Sequence, residues 1–119
     1  MRRKDEEHKL QTGCVTWYRL QYSKLAKALY SIPNGGERTD AQRRYLVEEG
    51  LVAGATDLVL AVPNRYNAGL YIEMKTPTGV VRKEQKEFLT LMKSLGYAVE
   101  VVRTFDRFVE VVNRQMRNR

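Results

Sequence analysis

Two carboxylates and one amine fall on neighbouring stretches that have the pattern of β-strands. In the stretch Leu70 to Lys75 (LYIEMK), alternate side chains point to opposite faces, so Glu73 and Lys75 share one face, about 7 Å apart. Asp57 stands near the start of the preceding predicted strand, residues 56–62 (TDLVLAV). Because paired strands lie about 4.8 Å apart, we expect Asp57 and Glu73 to reach a common metal ion.

These three groups suit the cleavage of a phosphodiester bond. Two carboxylates can hold Mg²⁺, which binds a phosphate oxygen and lowers the pKa of a bound water, and a lysine beside the ion can orient that water or stabilise the pentacovalent phosphate. The chain has one cysteine, Cys14, and one histidine, His8, which excludes a cysteine zinc site and an internal disulfide framework. The remaining oxygen ligands favour Mg²⁺, with Mn²⁺ as a substitute. A Glu-x-Lys pair is also typical of a solvated strand face with a cross-strand salt bridge, but its combination with an aspartate on the preceding strand favours the nuclease interpretation.

The elements that would position these groups mix helices and strands. Apolar spacings of three and four predict three helices, over residues 5–27, 82–95 and 105–116. A capping box at Thr39 predicts another helix, which should stop at Gly50. The strands 56–62 and 70–75 can form an antiparallel hairpin, and a third strand, 97–103, follows a helical crossover that favours parallel pairing. Residues 28–33 fit either a last helical turn or a short strand. We therefore predict an α/β fold with helices flanking a small mixed β-sheet.

The chain is basic and has the length of one domain. We treat residues 1–119 as a single domain with a basic tail, 114–119, that could be disordered in the free protein. The net charge of +7 favours an anionic partner, of which nucleic acid is the commonest. No apolar run approaches the roughly 20 residues of a membrane-spanning helix, and no apolar segment follows the basic N-terminus. We therefore expect no membrane insertion and no secretion.

The residues of the candidate site, together with others in a fixed order, resemble the PD-(D/E)XK nuclease superfamily and, within it, the virus-type replication-repair nuclease (VRR-NUC) domain. The matching positions are spread over most of the chain: Glu7, Gln11, Ile32-Pro33-Asn34-Gly35-Gly36, Arg38, Gly50, Gly54-Ala55-Thr56-Asp57-Leu58, Gly69-Leu70-Tyr71-Ile72-Glu73-Met74-Lys75-Thr76, Gln85, Gly96-Tyr97 and Val99-Glu100-Val101-Val102. The proline that the family usually has before its aspartate is Thr56 here, and the serine or threonine that often caps the next helix is Arg82. Neither departure touches the chemistry.

The resemblance implies a restriction-endonuclease-like fold with an αβββαβ core, which favours a strand within residues 28–33. It implies that Asp57 and Glu73 bind the divalent ion, with the backbone carbonyl of Met74 as a further ligand. It also implies that Lys75 is the catalytic lysine.

Two further residues take roles from the resemblance. Glu7 would approach the same centre from the first helix, in the outer shell or at a second ion, and Gln85 would sit beside Lys75 and hold the lysine or a water. Helical geometry supports both, because each lies on the core-facing stripe of its predicted helix, where polar groups need partners. The alternatives are a frayed terminal turn for Glu7 and a capping residue of its own helix for Gln85.

The resemblance further implies a structure-selective endonuclease that acts as a homodimer on branched DNA such as four-way (Holliday) junctions, in the cytoplasm of a bacterial or phage-infected cell. The two-fold symmetry of a dimer would match that of the junction. The apolar last helix fits either a dimer interface or the core of its own domain, and a helicase or replication partner is left open. Residues expected to contact DNA phosphates are Asn34, Arg38, Arg43, Arg44, Arg65, Arg82, Lys83 and, in the tail, Arg114, Arg117 and Arg119.

Three other interpretations remain open at this point. A catalytically inactive nucleic-acid-binding module on the same fold is disfavoured by the intact Asp57, Glu73 and Lys75. In a basic RNA-binding protein of ribosomal type those carboxylates would be incidental. A sequence-specific restriction-type nuclease would need a recognition domain, for which 119 residues leave little room. Metal-dependent cleavage separates a nuclease from the first two.

Overall fold

Four short strands form one mixed sheet between helices in the computed structural model, which describes residues 2–33 and 38–119. In chain order the elements are α1 (Arg3–Gln21), a 3₁₀ helix (Ser23–Ala28), β1 (Leu29–Ser31), α2 (Asp40–Glu48), β2 (Leu58–Leu60), β3 (Leu70–Met74), α3 (Lys83–Ser94), β4 (Ala98–Val102) and α4 (Phe105–Arg117). No helix in the described ranges is long and apolar enough to span a bilayer.

The strands lie in the order β1-β2-β3-β4. The β1–β2 and β2–β3 pairs are antiparallel, whereas β3 and β4 are parallel and joined by the α3 crossover. The predicted hairpin, the parallel strand and the small mixed sheet flanked by helices are therefore confirmed. Of the two possibilities for residues 28–33, the chain adopts the strand.

The core lies on the face of the sheet that α1 and α4 cover. Leu70, Ile72 and Met74 alternate along β3 and are all buried there, as strand periodicity requires. They pack with side chains from both helices, which include Cys14, Tyr18, Phe108, Val112 and Met116. Burial in its own core therefore accounts for the apolar stripe of α4, which the sequence also allowed as a dimer interface.

The first helix is shorter than its apolar pattern predicts. It ends at Gln21 because Tyr22 leaves the helical region (φ −121°, ψ 54°), and a 3₁₀ helix follows where the sequence predicted α-helix to residue 27. Two tyrosines hold this break: the Tyr18 hydroxyl donates to the Leu25 carbonyl at 2.8 Å, and the Tyr22 hydroxyl donates to Asn113 Oδ1 at 2.6 Å. The apolar pattern continues through the break because a 3₁₀ helix also brings every third residue to one side.

The last helix extends into the segment assigned to a basic tail. It runs to Arg117, so most of residues 114–119 belongs to α4. Arg114 forms ion pairs with Glu100 at 3.7 Å and Glu110 at 3.4 Å, and Arg119 Nε donates to the Met116 carbonyl at 3.3 Å. These side chains have partners within the domain that a charge count alone does not reveal.

The helix α2 begins and ends where the sequence predicts. Thr39 accepts from the Gln42 amide while the Gln42 side chain accepts from the Thr39 amide, which completes the capping box. Gly50 adopts φ +112° after the last turn, as a glycine that ends a helix does. No residue of α2 is buried, so the start and end of this helix are determined largely by its capping residues and not by packing.

Gly54 brings the loop after α2 against the start of α3. It adopts φ +87°, and a Cβ built on it would overlap the Glu84 carbonyl and lie 2.9 Å from the Gln85 nitrogen. Only glycine permits both this backbone conformation and this approach. The loop that leads into β2 can therefore contact the first turn of α3 this closely only because residue 54 has no side chain.

We expect Gly54→Ala to lower the free energy of unfolding by about 2–4 kcal/mol, because a strained backbone is added to an overlap with backbone atoms. Gly50→Ala is a matched control, since it has a positive φ but nothing within 4 Å of the added Cβ, and should cost about 1 kcal/mol. Gly13→Ala, inside α1 and also unobstructed, should stabilise by about 0.5–1 kcal/mol. Urea denaturation of the three variants measures this order, and equal losses for Gly54→Ala and Gly50→Ala would contradict the close approach.

Candidate active site

The start of β2 and the end of β3 place the two predicted carboxylates side by side. Leu58 pairs with Ile72, so the next residues along the hairpin, Asp57 and Glu73, lie opposite each other. Asp57 is fixed by its own hydrogen bond, in which the Met74 amide donates to Asp57 Oδ2 at 2.7 Å. The N–H and C=O of one strand residue point to the same edge, so the Met74 carbonyl also faces the side on which Asp57 lies.

Glu73 is the most enclosed member of the group, with only 3% of its surface exposed. Gln85 Nε2 donates to Glu73 Oε2 at 2.9 Å, and Lys75 Nζ lies 3.6 Å from the same oxygen. Lys75 is itself buried, and its backbone amide donates to the Val102 carbonyl of β4 at 2.9 Å. Glu73 and Lys75 thus share one face of β3, as strand alternation predicts, and they form an ion pair there.

Burial and like charge shift the acidity of both carboxyl groups. Burial, and after it the neighbouring Asp57, raise the pKa of Glu73 from its ordinary value near 4.5 to about 8, although Lys75 acts in the opposite direction. Burial also raises the pKa of Asp57, against the lowering effect of the Met74 amide. The pair therefore holds a proton more strongly than exposed carboxyl groups do. A bound cation in place of that proton would also stabilise the pair.

Gln85 has the capping role that the sequence offered as the alternative, and its side chain also reaches the candidate site. Its Oε1 accepts from the Arg82 amide at 2.9 Å and so caps α3, while its Nε2 donates to Glu73. It contacts the carboxylate that pairs with Lys75, rather than the lysine itself. The first turn of α3 is thereby attached directly to the buried carboxylate.

A cavity of about 440 Å³ opens beside this group. Its wall includes Asp57, Glu73, Lys75 and Gln85. Four more charged residues reach it: Glu7 of α1, Arg43 of α2, and, at the start of α3, Arg82 and Glu84, which lie 3.8 Å apart as an ion pair. The cavity thus brings together the predicted catalytic residues and two of the predicted DNA contacts.

Glu7 reaches the cavity from within α1 and is half-buried, so it does not lie in a frayed turn. Among residues 2–33 and 38–119, however, no three His, Cys, Asp or Glu side chains converge closely enough to hold a metal ion. Side-chain ligands at this centre would therefore be the pair Asp57 and Glu73, supplemented by the Met74 carbonyl. The role of Glu7 in an outer shell or at a second ion stays a prediction.

The other predicted DNA contacts are scattered. Arg38, Arg44 and Lys83 are exposed, and Lys83 Nζ lies 4.0 Å from Glu87. Arg65 lies in the loop between β2 and β3, at the end of the hairpin away from Asp57 and Glu73. Asn34 lies outside the described residues.

One residue that contacts the turn after Lys75 has no counterpart among the sequence predictions. Arg103, which follows β4, donates to the Thr76 carbonyl at 2.8 Å and to the Gly79 carbonyl at 2.7 Å, in the turn directly after Lys75. An arginine whose partners are backbone carbonyls leaves no complementary charge in the sequence, so no pattern could have indicated this contact.

The comparisons with known proteins concern the family and the fold. The family model of the VRR-NUC domain matches residues 1–106. A solved structure described as a VRR_NUC domain protein has a TM-score of 0.82 and 22% sequence identity, over 94% of this chain and 88% of that chain, which shows a shared fold. Among curated proteins no relative matches. Because the family model covers most of the chain, the protein belongs to the VRR-NUC domain family, whose fold is of nuclease type.

Proposed function

We propose that the protein is a metal-dependent DNA endonuclease, with Asp57, Glu73 and Lys75 at its centre. The observation that carries this proposal is a buried carboxylate, Glu73, beside the half-buried Asp57 and the buried Lys75, in the wall of a cavity that arginines also reach. Buried charges are costly unless they are used or neutralised, so their concentration in one cavity points to function.

The residues present fit a hard divalent cation. The donors are two carboxylates and a main-chain carbonyl, all oxygen, which suits Mg²⁺ and its substitute Mn²⁺. A cation would also offset the two causes that raise the pKa of Glu73, its burial and the neighbouring charge of Asp57. When bound, it would supply Lewis acidity toward a phosphate oxygen and lower the pKa of an attacking water.

The side chains of the protein would orient the metal ligands, position the attacking water and bind the phosphates. Asp57 is held in orientation by the Met74 amide, and Glu73 by the Gln85 amide group. The Lys75 ammonium, 3.6 Å from Glu73 Oε2, would orient the attacking water or offset charge that develops on the phosphate. Arg43 and Arg82 would bind backbone phosphates on either side of the cleaved bond, which positions DNA without selecting a sequence.

The preferred substrate we propose is branched DNA, including four-way junctions, cut by a homodimer. Phosphate contacts from arginines favour selection by shape, and two copies related by a two-fold axis would present two centres to a symmetric junction.

The decisive assay incubates the full chain with four-way junction, flap, single-stranded and duplex DNA, in Mg²⁺ or EDTA. We expect junction cleavage in Mg²⁺ only, and a loss of at least about 100-fold in Lys75→Ala and Glu73→Gln, because each removes a group at the reacting phosphate. Lys93→Ala, an exposed lysine at the far end of α3, is the matched control and should cut normally. Salt-sensitive binding without cleavage in Mg²⁺ or Mn²⁺ would indicate a nucleic-acid-binding protein instead.

Sedimentation of the active protein tests the dimer, and a monomer that still resolves junctions would refute the symmetric model.

The raised pKa of Glu73 predicts an unusual dependence of stability on pH. The native state keeps a proton that the unfolded chain releases near pH 4.5, so the stabilisation present below that pH is lost as the pH rises toward about 8. We expect the metal-free protein to lose on the order of a few kcal/mol across this range, and Mg²⁺ to restore stability above pH 8 by binding the ionised pair. Thermal melts at several pH values measure both effects. Glu73→Gln should flatten the dependence, and an equal slope in that variant would assign the effect to other groups.

Arg43→Ala and Arg82→Ala should each weaken junction binding about three- to tenfold and reduce the slope of log affinity against log salt by about 1, because each removes one phosphate contact. The Arg82 variant keeps the backbone amide that Gln85 caps. Arg107→Ala is the control of equal charge, since its guanidinium pairs with Glu100 and Glu110 away from the cavity. Fluorescence anisotropy in EDTA measures the affinities, and equal losses in all three variants would indicate a general charge effect without phosphate contacts at the cavity.

A further inference from the structure

The chain leaves the candidate centre through a tight turn. Residues 76–79 follow Lys75, and the Gly79 amide donates to the Thr76 carbonyl at 3.1 Å, which closes a β-turn with Pro77 at its second position. Three carbonyl oxygens of this turn, those of Thr76, Pro77 and Gly79, face a single cation.

That cation is the guanidinium of Arg103. Its Nη1 donates to the Gly79 carbonyl at 2.7 Å and to the Thr76 carbonyl at 2.8 Å, and the Pro77 carbonyl lies farther away at 3.4 Å. One Nη group carries two N–H bonds, so the two short contacts use its full donor capacity. Hydrogen bonds from a charged donor are about twice as strong as neutral ones.

The turn that Arg103 holds packs against the stem of Lys75. A Cβ built on Gly79 would lie 3.4 Å from Lys75 Cδ and 3.2 Å from Thr76 Oγ1, so the turn backbone forms part of the wall around the lysine. Thr76 is only 2% exposed, and within the described residues its hydroxyl has no hydrogen-bond partner. A buried hydroxyl without a partner disfavours this closed arrangement, so the bonds from Arg103 must offset its cost.

The same turn leads into α3. After residues 80 and 81 the chain reaches Arg82. The side chain of Gln85 accepts from the Arg82 backbone amide through Oε1 and donates to Glu73 through Nε2. The turn therefore connects two residues that contact Glu73, Lys75 on one side and Gln85 on the other.

We infer that Arg103 is a positioning residue of the nuclease centre, which sets Lys75 and Gln85 against Glu73 by holding residues 76–79. Arg103 is not one of the described residues that line the cavity, so its effect on the centre would pass through residues 76–79 and Lys75. A lysine could donate to the same carbonyls, but it lacks the rigid fork of the guanidinium. The inference rests on the proposed function for its kinetic consequences, but not for its structural ones.

The test compares Arg103→Ala, Arg103→Lys and wild type in Mg²⁺-dependent junction cleavage, with junction affinity measured in EDTA. We expect kcat to fall about 10- to 100-fold in Arg103→Ala with KM and affinity within about twofold, an intermediate kcat in Arg103→Lys, and partial recovery of Arg103→Ala by millimolar guanidinium. Arg107→Ala, with surface ion pairs elsewhere, should match wild type. An unchanged kcat in Arg103→Ala, or a loss that appears in affinity, would overturn the inference.

A second readout is independent of cleavage. Hydrogen exchange followed by NMR should show faster exchange of the Gly79 amide in Arg103→Lys than in wild type, and no change in Arg107→Ala. Wild type that cuts no DNA would refute the proposed function, and the Gly79 exchange rate would then decide the inference alone, with unchanged protection overturning it. If Arg103→Ala does not fold, the kinetic and exchange measurements on Arg103→Lys decide it.

Discussion

The burial of the Glu73 carboxylate beside a second carboxylate is the constraint around which this end of the protein is arranged. Asp57 and Glu73 bring two negative charges into a partly buried site, and Lys75 adds one positive charge. The amide groups of Met74 and Gln85 each satisfy one oxygen without adding charge. With both carboxylates ionised, one negative charge remains uncompensated. Burial and this uncompensated charge together raise the pKa of Glu73, so a proton can fill that place. A divalent cation would instead leave the site positive and suited to a phosphate.

The fold brings together site residues that are far apart in the sequence. Asp57 directly precedes β2, Glu73 lies on β3 and Gln85 on α3, and a specific pairing brings each of the other two residues to Glu73. The register of the β2–β3 hairpin is set by its core face, since a slip of one residue would turn Leu70 and Ile72 out of the core and Glu73 into it. The α3 crossover then returns Gln85 to the same face. Burial of apolar groups on one side of the sheet thus determines the placement of polar groups on the other.

These relationships explain which features the sequence could predict. Strand alternation places Glu73 and Lys75 on one face without any knowledge of the fold, and the hairpin adds Asp57. The break after Gln21 was missed because α-helices and 3₁₀ helices share apolar spacings near three, and the tyrosine hydrogen bonds that cause it reach Leu25 and a residue of α4. The positive charge of the chain did not indicate where individual arginines lie or what they contact. Arg114 serves ion pairs, Arg65 lies at the other end of the hairpin, and Arg103 serves backbone carbonyls, and the number of arginines distinguishes none of these roles.

The helix α2 shows how a segment can serve the site without serving the core. It has nine residues, none of them buried, and isolated helices of that length are marginal in water. Its capping box and the glycine after it define its ends, but its packing contributes little to folding. It nevertheless carries Arg43 to the cavity that holds Asp57, Glu73 and Lys75. Under the proposed function, a DNA phosphate bound between Arg43 and the metal centre would supply the tertiary anchor that the apolar core does not. Binding of substrate and fixation of α2 would then be one event, because the same contact accomplishes both.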